Sequence, residues 1–348
     1  MPKSKVGKWK QLFKDMAIRE ISLDNMSLSE EINLTTNVSC SELSAPEMDI
    51  VYKTLLFSCL SIFIPGAIIF NIILIVQINR KRTHKEFSRF FLTSMASVDL
   101  CVGLTLMPFS IANEFTDTKF LLGSKTCPII NSLDVMLSSA SIIHLSILTF
   151  DRYVALCRPF SYRRICNRRN MIVMYIICWL LVASVSYGLI IPGLHHKGID
   201  KHVITCVVHV FSRCRLIVNM HYELIISALT FFIPGFLILG LNLRLLRYVR
   251  KQSRKRKLYL RGERKPMNNQ MNNNESQSMR IARTLAVLTG SFFVCWLPFF
   301  IVNKILLFTK YDVPYIVEVV VLWLGYANSS MNPLFYFLLQ SKSCIGKR

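Results

Sequence analysis

Asp134 and the run Asp151-Arg152-Tyr153 stand near opposite ends of one long apolar stretch, Cys127 to Pro159. Asp134 and Arg152 are eighteen positions apart, which is about five helical turns and about 27 Å of rise. Both therefore fall on one helix face, close to opposite surfaces of a hydrocarbon layer roughly 30 Å thick. A carboxylate near the centre of a membrane helix costs about 2.5–3.5 kcal/mol, so it implies a partner or a task. The spacing suggests that Asp134 receives a cationic group from outside and that Arg152 reports it inside. Asp134, Ser138 and Ser141 share a stripe at i, i+4, i+7. Asp99, Asn328, Ser329 and Asn332 supply further polar groups at a depth comparable with Ser141. A carboxylate ringed by hydroxyls and amides suits a hydrated monovalent cation, and it suits equally a hydrogen-bonded packing network with no ion. Phe292, Trp296, Phe299, Phe300 and Asn303 recur at helical spacing, a pattern more often plain core than a binding box. Here they accompany Asp134, with Trp323 and Tyr326 in the last apolar stretch. Together these give an alkylammonium one counter-charge and aromatic faces, each worth about 0.5–2 kcal/mol. Ser227 and Thr230 offer hydroxyls to the far end of such a ligand.

The elements that must hold these residues are apolar spans. The chain has 348 residues, 52% hydrophobic and 18% charged, with mean hydropathy +0.41, too apolar for a soluble domain of this length. Seven segments emerge at 51–78, 89–112, 126–150, 171–192, 222–246, 281–308 and 313–339. The net charge of +22 sits between these blocks and forms no aromatic-basic surface, which argues against nucleic acid as the partner. Arg80 to Lys85, Arg158 to Arg169 and Arg244 to Lys265 crowd alternate loops, so the positive-inside rule puts the amino terminus outside and the carboxy terminus inside. The expected fold is all-α: a seven-transmembrane helix bundle with an extracellular amino terminus, in the plasma membrane. The expected domains are a tail at 1–50, a seven-span domain at 51–338 with a disordered cytoplasmic loop at 250–278, and a short tail at 339–348.

The tail has no cleavable signal core, and its start lies at Met1, Met16 or Met26. Asn25, Asn33 and Asn37 match the glycosylation acceptor pattern on the outer side. Four cysteines face an oxidising space: Cys40, Cys127, Cys206 and Cys214. A Cys127–Cys214 bridge would pin the outer loop over the third span, and Cys40 with Cys206 would staple the tail to it, but four cysteines allow three pairings. His195, His196, His202 and His209 in that loop are a possible zinc or pH-sensing group, although loop histidines are usually unliganded. There is no nucleotide loop, no HExxH and no inverted repeat of broken spans, which leaves an enzyme or a transporter without support.

Taken one per span and in order, Asn71, Asp99 in its SVDL run, Cys127, Asp151-Arg152-Tyr153, Trp179, Pro234, Cys295-Trp296-Leu297-Pro298 and Asn332-Pro333-Leu334-Phe335-Tyr336 resemble the rhodopsin-like (class A) G-protein-coupled receptors. The resemblance covers about 50–340. Asp134, the LDVMLSSASI context and Trp323-Leu324-Gly325-Tyr326 resemble the aminergic branch, nearest the trace-amine-associated receptors. That resemblance implies a receptor, not an enzyme, for a small protonated amine, coupled to a heterotrimeric G protein; a class A peptide receptor is the alternative. It implies that Asp134 binds the ammonium and Tyr326 orients it, with Trp296 and Phe292 as the rotamer switch above Pro234 and Ile142. It further implies no cofactor beyond an allosteric sodium ion at Asp99, Ser141, Asn328, Ser329 and Asn332, and a shared Cys127–Cys214 disulfide. Arg152, Pro159 and Phe160 would face the G protein, with Asp151, Tyr153, Pro333 and Tyr336 in the activation machinery. Two positions depart from the family: Asn242 stands where a tyrosine is usual, and Ser278 where a glutamate is frequent at the start of helix six. Arg152 would then lean on Asp151 alone, raising basal signalling, while Asn242 weakens the active state.

Overall fold

The computed structural model describes residues 50–80, 86–115, 126–199, 216, 218–263, 269–308 and 313–345, and among them there is no strand. Six helices are long and apolar enough to cross a membrane. A seventh runs Tyr315–Ile345. It is less apolar because Asn328, Ser329, Ser330 and Asn332 fall within it, all of them buried. The expected helix bundle is thus present; most helix ends fall within three residues of the hydropathy limits, while helices three, five, six and seven run on by a turn or more at the ends predicted to be cytoplasmic.

The first span is Ile50–Leu60 followed by Phe63–Arg80. The two pieces meet at Ser61 because Pro65 has no N–H for the Ser61 carbonyl; Ile64 takes that carbonyl instead, at 3.1 Å, in a tighter turn. The second comprises Glu86–Cys101, a widened turn Val102–Leu106 and Met107–Phe115. The third is Thr126–Cys157 and the fourth Arg168–Ile190. The fifth comprises Met220–Ser227, a second widened turn Ala228–Phe232, and Ile233–Glu263. The sixth is Asn269–Phe308. Each widened turn closes just before a proline, Pro108 or Pro234, where the ring would crowd the carbonyl four residues back. Asn side chains start the fourth and fifth spans. Asn167 accepts from the Asn170 N–H at 2.8 Å and Asn219 from the Tyr222 N–H at 2.7 Å, filling orphan donors at the helix start.

Helix three is the axis of the bundle. It packs against helices two, four and five, and the ring closes from five through six and seven to one. Of its most apolar window 61% is buried, against 22% in helix four and 17% in helix one, which face outward. This burial is why the third span can carry Ser139, Ser141, His144, Ser146 and Thr149 facing protein instead of lipid.

Two expectations need correction. The composition of segment 250–278 predicts a disordered loop, but in its described part helix five continues to Glu263 and helix six begins at Asn269. Leu, Lys, Arg and Gln are strong helix formers, and extending a helix already fixed in the bundle avoids the cost of nucleation. Composition alone hid this. The short tail at 339–348 likewise begins as helix, since the seventh span runs on to Ile345. Asn25, Asn33, Asn37, Cys40, Cys206 and Cys214 lie outside the described residues.

Gly103, inside the widened turn of helix two, lets helix one approach: a Cβ there would stand 2.9 Å from Ala67 Cβ. Gly103→Val should therefore destabilise the receptor by about 1–3 kcal/mol, seen as a lower thermal midpoint of the detergent-solubilised protein.

Candidate functional site

Asp134 is partly exposed in the outer half of the bundle. Tyr326 of helix seven donates to its Oδ2 at 3.0 Å, and Ser138 donates to Oδ1 at 3.3 Å. Both partners are neutral, so the carboxylate is oriented without being neutralised. Trp296, against the backbone next to Tyr326, meets Phe299 edge-on at 5.7 Å and Phe300 at 6.4 Å, and Phe300 stacks on Phe231 of helix five at 4.4 Å. The structure thus brings Trp296, Phe299 and Phe300 into one aromatic group with Phe231 and Phe292. Trp323 belongs to a different one. It is fully buried against Phe57 at 6.1 Å and Tyr326 at 6.0 Å, with its Nε1 unpartnered. Trp323 therefore buttresses Tyr326 from the side of helix one. Gly325, between them in sequence, presses its backbone on the Trp296 indole, and a Cβ there would lie 2.9–3.1 Å from three ring atoms.

The serine and threonine expected at the ligand's far end are already engaged. The Thr230 hydroxyl donates to the Ile226 carbonyl at 2.7 Å. Ser227 donates to the Leu224 carbonyl at 3.3 Å and accepts from the Lys304 ammonium at 3.0 Å. Lys304 also lies 3.6 Å from Glu223. Neither member of this ion pair was singled out from the sequence. Both sit near span ends, where a charge reads as interfacial, and 81 positions separate them (304 − 223).

Further in, Asp99 is fully buried and accepts from Ser329 at 2.9 Å, Asn332 at 3.0 Å and Ser141 at 3.3 Å. The Oδ1 atoms of Asn328 and Asn332 are buried without a partner. A closed carboxylate, two serine oxygens with lone pairs to spare and two orphaned amide oxygens form an oxygen-rich donor set that fits a small hard cation. Asn71 ties helix one to the same layer by donating to the Ser329 carbonyl at 2.9 Å.

At the opposite end, Asp151 accepts from Ser88 at 2.6 Å and from the Tyr162 hydroxyl at 2.7 Å, and Arg152 Nε stands 3.4 Å away. Burial, then the bond to Asp151, raises the Tyr162 phenol, so it remains a proton donor. Arg152 has no other acidic contact among the described residues. Asp151 itself is better anchored than the sequence suggested. Asn242, in place of the usual tyrosine, donates to Thr289 of helix six at 2.5 Å. Phe160 follows Pro159 in a short 3₁₀ turn and is fully exposed (101%).

His144 also went unnoticed. It is buried between helices two, three and four, with Ser94 at 2.9 Å, the Ala140 carbonyl at 2.6 Å and Trp179 at 6.1 Å, and both ring nitrogens are used in packing. In the outer loop His195 and His196 touch at 3.2 Å, while His202 and His209 lie outside the described residues. Burial, aided by His196, pushes His195 down to about 4, so it is neutral at neutral pH. No group of three metal-ligating side chains occurs among the described residues. Cys127 is held in a disulfide, and both Cys206 and Cys214 fall outside those residues.

The family model described as "7 transmembrane receptor (rhodopsin family)" matches residues 70–336. Among curated relatives, "Trace amine-associated receptor 1" of Macaca mulatta is 31% identical over 287 residues, 81% of this chain and 82% of that protein. "5-hydroxytryptamine receptor 4" of Cavia porcellus is 31% identical over 300 residues, 83% of this chain and 77% of that protein. "Octopamine receptor beta-1R" of Drosophila melanogaster is 30% identical over 291 residues, 78% of this chain and 56% of that protein.

The Gly325–Trp296 contact gives a direct test of how the aromatic group is positioned. Gly325→Ala should lower stability by about 1–3 kcal/mol by displacing the indole. Trp296→Phe, which removes the crowded ring, should recover most of that loss in the double variant, as read by thermal unfolding.

Proposed function

Since the chain belongs to the rhodopsin family of seven-transmembrane receptors, receptors and not enzymes that cross the plasma membrane several times, we propose that its ligand is a small protonated amine bound at Asp134. The carrying observation is that Asp134 is oriented by two neutral donors and partly exposed in the outer half of the bundle. A carboxylate so placed favours a cationic guest. Relatives named for trace amines, 5-hydroxytryptamine and octopamine support the same reading. The aromatic group of Trp296, Phe299 and Phe300 offers faces to the amine's substituents. Ile226, at a position often polar in catecholamine receptors, favours simple arylalkylamines over catechols. The amino terminus and its acceptor asparagines face outward in this reading.

Signalling follows from differential binding. An amine that holds Asp134 and the aromatic group better in one arrangement of helix six shifts the population toward it. About 5.5 kcal/mol of difference moves a 1:99 equilibrium to 99:1. The partner on the inner side is a heterotrimeric G protein, met by Arg152, Tyr153, Pro159 and the exposed Phe160, with Phe292, Pro333 and Tyr336 carrying the rearrangement. The Asn242–Thr289 bond and the anchors on Asp151 restrain the resting arrangement, while the missing glutamate at Ser278 raises basal output. Asp99, Ser141, Asn328, Ser329 and Asn332 would hold a sodium ion, which would supply the positive charge that this buried carboxylate lacks.

Asp134→Ala is expected to abolish second-messenger responses to arylalkylamines at unchanged surface expression; wild-type potency in that variant would end this reading. Exchanging sodium for N-methylglucamine should shift apparent amine affinity in the wild type and leave Asp99→Asn unmoved, measured by radioligand competition.

A further inference from the structure

Helices five and six face each other along two stripes at helical spacing: Glu223, Ser227 and Phe231 on one, Trp296, Phe300 and Lys304 on the other. The inner pairing is aromatic, Phe231 on Phe300 at 4.4 Å. One turn outward it becomes ionic. Lys304 Nζ lies 3.6 Å from Glu223 Oε1, donates to Ser227 Oγ at 3.0 Å, and stands 5.3 Å from the centre of the Phe232 ring. The Glu223 side chain is 5% exposed and its Oε1 accepts no hydrogen bond, so the lysine is its charge compensation. Glu223 lies in the first turn of helix five, and it is its burial there, with a lysine from another helix as its counter-charge, that calls for a role.

The outer half of the bundle therefore holds two carboxylates in different states. Asp134 has neutral partners, whereas Glu223 already carries an ammonium, one that belongs to the protein. Helix five meets helix three beside Asp134: Tyr222 and Ile226, which precede Glu223 and Ser227 in sequence, share an apolar cluster with Val135, the residue after Asp134. We propose that Lys304 is a specificity-determining residue: by occupying Glu223 and Ser227 it limits this receptor to ligands with a single ammonium group and an apolar far end. A ligand with a second cation meets a carboxylate already neutralised and a resident positive charge. A ligand with a far-end anion would draw Lys304 away and leave Glu223 buried and unpaired, which is strongly unfavourable. This assignment rests on the reading of Asp134 as the ammonium site, and it names which amines that site accepts.

The test is a dose–response panel on cells expressing the full chain, with α,ω-diaminoalkanes of increasing length and the monoamines of the same lengths. The wild type should favour the monoamine at every length. Lys304→Met should shift the diamine-to-monoamine potency ratio at least tenfold toward the diamine at one preferred length, where the second ammonium reaches Glu223. Lys304→Gln, which keeps a neutral donor for Glu223 and with it a safer fold, should shift the ratio in the same direction. Lys304→Arg and the double variant Lys304→Met with Glu223→Gln should keep the wild-type ratio. A Lys304→Met or Lys304→Gln receptor at the cell surface with an unmoved ratio overturns the assignment, as does a gain that survives Glu223→Gln. Asp134→Asn run alongside separates the two readings. Full monoamine potency in that variant means the Asp134 reading has failed. Loss of monoamine response there, with a ratio unmoved by Lys304→Met, means only the Lys304 assignment has failed.

Discussion

The structure depends on two carboxylates, Asp134 and Asp99, that neutral donors hold inside an apolar bundle, and the hydrogen bond from Tyr326 to Asp134 is the first of these arrangements. A neutral donor orients the carboxylate and joins helix three to helix seven across the outer half of the bundle. It does not cancel the charge. Buried charge of this kind is unfavourable until something positive arrives, so the same bond that fixes the geometry leaves the site ready for a cationic guest. The receptor reading follows from that imbalance, and the aromatic surroundings decide what kind of cation fits.

Three acidic layers lie along helix three and its neighbours, each satisfied differently. Asp134 has a phenol and a serine and remains partly accessible. Asp99 is closed off and accepts three hydrogen bonds from two helices, with orphaned amide oxygens nearby. Asp151 is fastened by Ser88 and Tyr162 before its neighbour Arg152 contributes. Between the first and the last runs the aromatic packing of Phe231, Phe292, Trp296 and Phe300, an apolar link of helices five and six. Movement of helix six must repack these rings, and the Asn242–Thr289 bond further in must break or follow. The outer and inner polar layers are thus coupled through side chains in contact.

Much of this was legible before any coordinates. Seven apolar blocks, the charge bias of the loops and the roles open to Asp99 and Asp134 follow from the period and cost of burying charge in lipid. Three partners of Asp99, namely Ser141, Ser329 and Asn332, follow from polar residues at matching depth on facing helices, whereas the Oδ1 of Asn328, expected with them, has no partner. Contacts that depend on rotation between distant helices were not. Ser227 looked free because nothing in its own helix reveals that Lys304 reaches it from helix six. Trp323 looked like part of the ligand's surroundings, but its side of helix seven faces Phe57. Segment 250–278 looked disordered because its composition is polar, whereas helix continuity is set by the span from which it grows.

The most direct measurement of the central claim is an experimental structure of the full chain with an activating arylalkylamine bound. The account expects the ligand nitrogen in ionic contact with the Asp134 carboxylate, beside Tyr326 and above Trp296, with Lys304 still on Glu223. An agonist seated elsewhere, with Asp134 turned to lipid or paired with a lysine of the protein, would contradict it.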